Sequence, residues 1–307
     1  VASDRCPYPA AFDELPWTTT DNFMGHGADA SSWDEARTVV LPVPYEATTS
    51  YGPGTRSGPE AILEASRYVE LYDEELDGEP WEAGICTLPY LELPAAGPEA
   101  AVRTLREAYA RILETSGDRF LLTLGGEHSI SSAPVHAWLD RLGDDLSVLQ
   151  LDAHSDLRAS YHGTPWSHAC VMRRILDRTS RIAAVGIRSL TGEERRLIEE
   201  VGITTVFAEE LRHDGWIDKA LAALGPNVYV TFDVDFLDPA VMPATGTPEP
   251  GGGSWWQALD LLRAVFRERN VVAADIVELA PDLGPIACGV VAAKLAYKMI
   301  GYRFMAG

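Results

Sequence analysis

Apolar and polar positions along the chain fall into short β-branched runs that alternate with segments of helical period. Residues 1–37 are polar, aromatic and proline-containing, which predicts an extended arm or packed loops before the regular part begins at "TVVLPVPY". The turn-forming "EATTSYGPGTRSGPE" then leads into the helical pattern "EAILEASRYVELYDEEL". Beyond it, "GICTLPYLEL", "FLLTL", "LSVLQL", "RIAAVGI", "ITTVF", "NVYVTF" and "VVAADIVEL" read as strands. Helices are predicted between them: from Pro98 to about Ser116, from about Ser131, from about His168, over "GEERRLIEEVG", "IDKALAALG" and "WWQALDLLRAVFRER", and at the C-terminus. Alternation of this kind predicts an α/β fold, a mostly parallel sheet with helices on both faces. With no linker-like or repeated segment in between, 38–307 reads as a single domain.

Composition narrows the partners. A formal net charge of -21 argues against the basic face that nucleic acid or an anionic membrane would require, and favours cationic ligands, though such a field more often simply aids solubility. Cys6, Cys86, Cys170 and Cys288 are widely spaced and form no CxxC pair, so the expectation is reduced thiols in a cytoplasmic protein. The N-terminus carries charges and prolines where a signal peptide needs an apolar run. The longest apolar segment, "GVVAAKLAYKMIGY", is interrupted by Lys294 and Lys298 and reads as a packed helix, not a membrane span.

Four strands end in polar clusters: "FLLTLGGEHS", "LSVLQLDAHSD", "VYVTFDVDFLD" and "VVAADIVE". In an open parallel sheet the carboxyl ends of the strands share one edge, so clusters distant in sequence can meet there. Asp152, His154 and Asp156 recur at every second residue, and Asp233 with Asp235 repeats that spacing, which aims each set at a common point. His128 in "GGEHS" supplies a sixth donor. Two imidazoles and four carboxylates exceed the needs of one ion and suit a binuclear centre with bridging carboxylates. Oxygen and nitrogen donors without thiolate favour Mn²⁺. Taken singly, each carboxylate could be a cap or turn residue, and for Asp238, before Pro239, that reading is the better one.

These segments carry a resemblance. "GGEHS", "LDAHSD" and "TFDVDFLDPAVMPATGTPEPGG" resemble the three signature segments of the ureohydrolase family of arginases, agmatinases and related guanidino hydrolases. "SYGPGTRSGPEAI" and "DIVEL" resemble further family segments, so that the likeness covers almost the whole chain. It implies a three-layer α/β/α fold with an eight-stranded sheet, two Mn²⁺ per chain held by His128, Asp152, His154, Asp156, Asp233 and Asp235, and a trimeric or hexameric homo-oligomer. Glu278 matches the acid that pairs with the substrate guanidinium; its alternative is a buried structural salt bridge. Asp156 would also orient the attacking hydroxide. The family's products are urea and an amine.

Within the family, "LRASYHGTPWSHACVMRR" lacks the Asn pattern by which arginases receive an α-carboxylate, and it resembles bacterial and archaeal agmatinases. Agmatine, cleaved to putrescine and urea, is therefore the first expected substrate; guanidinobutyrate, guanidinopropionate, guanidine and arginine are alternatives. Arg158 could pair with a carboxylate on the substrate or form a structural ion pair. Tyr51 and Trp166 are candidates for the substrate-tail pocket. For the proton shuttle the loop offers His162, which begins "HGTP", and His168, whose "HACVMRR" reproduces the family's helix start and basic spacing better. A reading of another class is a non-catalytic sensor of a cationic metabolite, which metal content and urea release would separate from an enzyme. A binuclear phosphoesterase is disfavoured by the acidic balance and the lack of a phosphate-cradling glycine loop. Trp255 and Trp256 read as packing or interface groups, and Cys170 as a small buried hydrophobe.

Overall fold

In the computed structural model, residues 22–25 and 32–305 are described; most of the expected arm, and Cys6, lie outside them. The β-branched runs form eight strands: β1 (Thr38–Val43), β2 (Ile85–Thr87), β3 (Phe120–Gly125), β4 (Leu146–Leu151), β5 (Ile182–Ile187), β6 (Thr204–Phe207), β7 (Asn227–Asp233) and β8 (Asn270–Val277). They make one sheet in the order β2-β1-β3-β8-β7-β4-β5-β6. Every strand pair is parallel, so the mostly parallel sheet of the prediction is wholly parallel. β1, β3 and β4 are buried at every residue, as strands covered on both faces must be.

Eight helices form the two outer layers: α1 (Gly58–Ser66), α2 (Pro98–Ser116), α3 (Ser132–Leu142), α4 (Val171–Leu176), α5 (Gly192–Val201), α6 (Trp216–Ala222), α7 (Trp255–Glu268) and α8 (Ala287–Phe304). On one side α1, α6, α7 and α8 enclose a core that includes Ile62, Leu221, Leu262 and Ile300. On the other, α2 to α5 enclose a core that includes Leu105, Val135, Ile175 and Ile198. Among the described residues no helix is long and apolar enough to cross a membrane.

Two predicted elements are shorter in the structure. The helical pattern through "EAILEASRYVELYDEEL" stops at Ser66. Asp73 in its second half is fully buried, with Lys298 of α8 donating to it at 2.7 Å, and that long-range ion pair overrides local periodicity. "GICTLPYLEL" is ladder-paired only over β2, because Pro89 has no N–H; the chain still follows β1, with Leu88 and Leu91 donating to the carbonyls of Val40 and Pro42.

Candidate metal centre and active site

β3, β8, β7 and β4 are consecutive neighbours at the centre of the sheet, and their carboxyl ends are the four polar clusters of the sequence. Strands lie about 4.8 Å apart, so side chains from all four reach one small volume. The turn after β3 needs glycine: a Cβ on Gly126 would sit 1.9 Å from the carbonyl oxygen of Tyr45. Two site residues, Asp156 (φ 53°) and Glu278 (φ 66°), adopt left-handed backbone without being glycine, a strain that concentrates at functional sites.

His128 Nδ1 lies 3.2 Å from Asp152, 3.1 Å from Asp156 and 3.3 Å from Asp233. His154 Nδ1 lies 2.9 Å from Asp235 and 3.6 Å from Asp152. Two groups of donors are compact enough for an ion each: His128 with Asp152 and Asp156, and Asp152 with His154 and Asp235. Asp152 belongs to both groups, so it would face both ions if two were held. Asp233 stands outside both groups but beside His128.

Electrostatics mark the same volume. No Lys or Arg pairs with any of these carboxylates among the described residues. Burial and the charges of Asp235 and Asp152 push the Asp233 carboxyl well above its ordinary range, and burial with Asp152 raises Asp156 to about 6. Burial opposes charge on both imidazoles, yet the surrounding aspartates raise His128 well above its usual value and His154 to about 12. His128 Nδ1 and Asp235 Oδ2 are buried and make no hydrogen bond. Crowded carboxylates and orphaned donor atoms fit a cluster that divalent cations would neutralise.

The orientation of His128 is fixed from behind. Its Nε2 is 2.9 Å from Thr231 Oγ1, which donates to Asp275 Oδ1 at 2.7 Å, while Tyr229 donates to Asp275 Oδ2 at 2.8 Å. Because the Thr231 proton goes to Asp275, its oxygen must accept from Nε2–H, leaving the Nδ1 lone pair for the centre. Gln150 similarly donates to Asp152 Oδ2 at 2.8 Å. Sequence reasoning did not assign these residues. Their signal was polarity: Gln150, Thr231 and Asp275 are buried polar residues within largely apolar strands.

A cavity of about 240 Å³ opens over the centre, with Asp156, Asp233, His154, His168, Arg158 and Glu278 in its wall. Glu278 is buried and accepts the His128 backbone N–H at 2.6 Å; burial, with the neighbouring Glu127 charge, pushes its carboxyl well above the ordinary range. His168 Nδ1 lies 3.9 Å from Glu278, and its Nε2 is buried without a partner. Burial and the charges of His154 and His128 lower His168 to about 4, keeping it neutral at pH 7.

The other predicted residues lie further out. His162 is exposed, stacked at 4.2 Å on Tyr161 in a turn, and is absent from the cavity wall. Tyr51 is 84 % exposed beside Ser50, which does line the cavity. Trp166 packs against the α2–α5 core and not into the cavity. Arg158 reaches the cavity, its guanidinium 4.8 Å over the Tyr161 ring, with no carboxylate partner among the described residues. Asp238 acts as a turn clamp, accepting the N–H groups of Ala240, Gly251 and Gly252.

Comparison with known proteins places this arrangement. The model of the Arginase family matches residues 36–301. The chain belongs to the arginase family. Within this family it is agmatinase-like: it is 40% identical over 279 residues to the N(1)-aminopropylagmatine ureohydrolase of Synechocystis sp., covering 89% of this chain and 90% of that one. The agmatinase of Pyrococcus horikoshii is 34% identical, over 87% of this chain and 92% of its own. The agmatine ureohydrolase of Thermoplasma volcanium superposes with a TM-score of 0.83 at 30% identity, covering 93% of this chain and 94% of that one. As an arginase-family member the chain is a ureohydrolase, an enzyme of guanidino groups, and the sensor and phosphoesterase readings are set aside.

Proposed function

We propose that the enzyme releases urea from an agmatine-type substrate, agmatine itself or agmatine extended by an aminopropyl group, at a pair of Mn²⁺ ions. The observation that carries this is the position of Glu278, a buried carboxylate in the wall of a cavity directly over the crowded donor cluster. His128, Asp152, His154, Asp156, Asp233 and Asp235 would hold the ions. Such a pair supplies hydroxide at neutral pH by lowering the pKa of bound water. Glu278 accepts the substrate's guanidinium and fixes its plane, and the cation's charge offsets the cost of ionising this buried acid. Asp156 receives the nucleophile's proton. The departing nitrogen must gain a proton to leave as an amine; the proton taken by Asp156 balances that gain, and His168, neutral at pH 7, would relay protons between the departing nitrogen and solvent.

The extended substrate enters the proposal because the relatives at 40 to 41% identity are named for it. A neighbouring groove of about 450 Å³ shares Arg158, Thr191 and Glu194 with the cavity wall and offers room for a longer tail. Among agmatine, N1-aminopropylagmatine, guanidinobutyrate and arginine, urea release is expected to give the two agmatines kcat/KM values at least about tenfold above arginine, a difference of roughly 1.4 kcal/mol. A preference for arginine would overturn the assignment.

One observation favours a second reading, hydrolysis of a guanidino acid. Among the described residues Arg158 is a cation without an ion-pair partner, whereas Glu194 is already engaged by Ser155, Leu157 and Thr191 and offers little to a cationic tail. Should guanidinobutyrate prove the best substrate, Arg158→Gln must abolish that preference.

A further inference from the structure

His168 opens a 3-10 turn, His168–Cys170, whose first N–H needs an acceptor outside the turn. The local candidate does not serve: Ser167 occupies the capping position, yet its hydroxyl makes no cap hydrogen bond and is buried without a partner. The acceptor is Thr48, whose Oγ1 takes the His168 N–H at 2.9 Å from 120 positions away in sequence. Thr48 is itself fixed by Glu127, a carboxylate with 0% exposure. Glu127 Oε1 accepts the Thr48 hydroxyl at 2.7 Å and Ser129 Oγ at 2.5 Å, and its Oε2 accepts the N–H groups of Ala47 and Thr48 at 2.6 Å each.

We infer that Thr48, clamped by Glu127, is a positioning residue that sets the height of the His168 imidazole over the reacting centre. The argument is geometric. A hydroxyl that donates to one group and accepts from another has a fixed direction, and this one joins the turn after β3, which carries His128, to the backbone of His168. The same carboxylate therefore registers the proton-transfer group against the donor cluster. A loosened clamp would leave the ions and the guanidinium site in place and displace the imidazole, to which proton transfer is sensitive over fractions of an ångström. The inference rests on the proposed hydrolysis and on His168 as its proton carrier.

The test is urea release, metal content and thermal stability for Thr48→Val, Thr48→Ser and the pairing of Thr48→Val with His168→Asn. Thr48→Val keeps the side-chain shape and deletes the hydroxyl. It is expected to lower kcat about five- to tenfold with KM changed less than about twofold and bound Mn²⁺ unchanged. Thr48→Ser should restore most of the rate. In the His168→Asn background Thr48→Val should add less than about a twofold loss, because the residue acts through His168. Thr48→Ala serves in the same cycle if the Val variant does not fold. An unchanged kcat, an equal loss in both backgrounds, or a loss that lies in KM through the loop carrying Ser50 would each overturn the inference. A wild type that releases no urea from any guanidino compound would instead fail the functional reading.

Discussion

Asp235→Asn is expected to lower bound Mn²⁺ to about one ion per chain or fewer and to cut kcat by at least about a hundredfold, since even outer partners of a metal are each worth 10–100-fold. Asp235 Oδ2 lies 2.9 Å from His154 Nδ1 and its Oδ1 accepts the Ala153 N–H at 3.0 Å, so in the metal-free protein its charge is balanced against that imidazole. Its nearness to Asp233 is one of the causes that drive that carboxyl upward after burial itself. Removing the charge therefore takes away both a repulsion with Asp233 and an attraction to His154 in the metal-free protein. Thermal unfolding should show the loss of the ion: added Mn²⁺ stabilises the variant less than it stabilises the wild type. Full metal content and full activity in this variant would remove the binuclear assignment at its centre. Asp152→Asn should be at least as severe, because Asp152 belongs to both donor groups.

His168→Asn is the second large effect, a fall in kcat of at least about tenfold, the size expected for loss of a general acid, with Mn²⁺ retained. His162→Asn should be much milder, because that ring is exposed and stacked on Tyr161 outside the cavity wall. The reverse ranking at equal metal content would move the role to His162. His168 also carries a stability signature. Its folded value is near 4, against an ordinary 6.5, through burial and then the neighbouring His154 and His128 charges. Between those two values the unfolded chain binds a proton that the folded one does not, so this group's contribution to stability is lost as pH falls from 6.5 towards 4. His168→Asn should therefore flatten the acid limb of a stability-against-pH curve.

Much of the molecule was legible in its pattern. Alternation of β-branched runs with helical periods yields a parallel α/β sheet because each period can bury only one kind of face. The every-second-residue spacing of Asp152, His154 and Asp156, and of Asp233 and Asp235, placed the donors at strand ends, and the strand order brings those four ends side by side. Sequence alone could not say how the donors divide. The left-handed backbone at Asp156 turns its carboxylate towards His128, whereas His154 faces Asp235, so a single motif serves two groups.

Local pattern failed where a distant partner decided the outcome. The helix through 67–76 does not form because the Asp73 carboxylate is drawn into the buried pair with Lys298, 225 positions on. Polarity and motif membership mark Glu127, Thr231 and Asp275, but their roles and that of Thr48 were not legible, since a hydrogen bond depends on a direction and a distance between atoms, and neither is encoded in the spacing of residues along one segment. The sequence by itself determined the layers, the strand ends and the candidate donors, because burial periodicity and residue chemistry are local properties. Tertiary structure alone decided which donors share an ion's worth of space, which tautomer His128 presents, and which histidine faces the cavity, because those are set by the relative placement of strands β3, β8, β7 and β4 and of the loops that follow them.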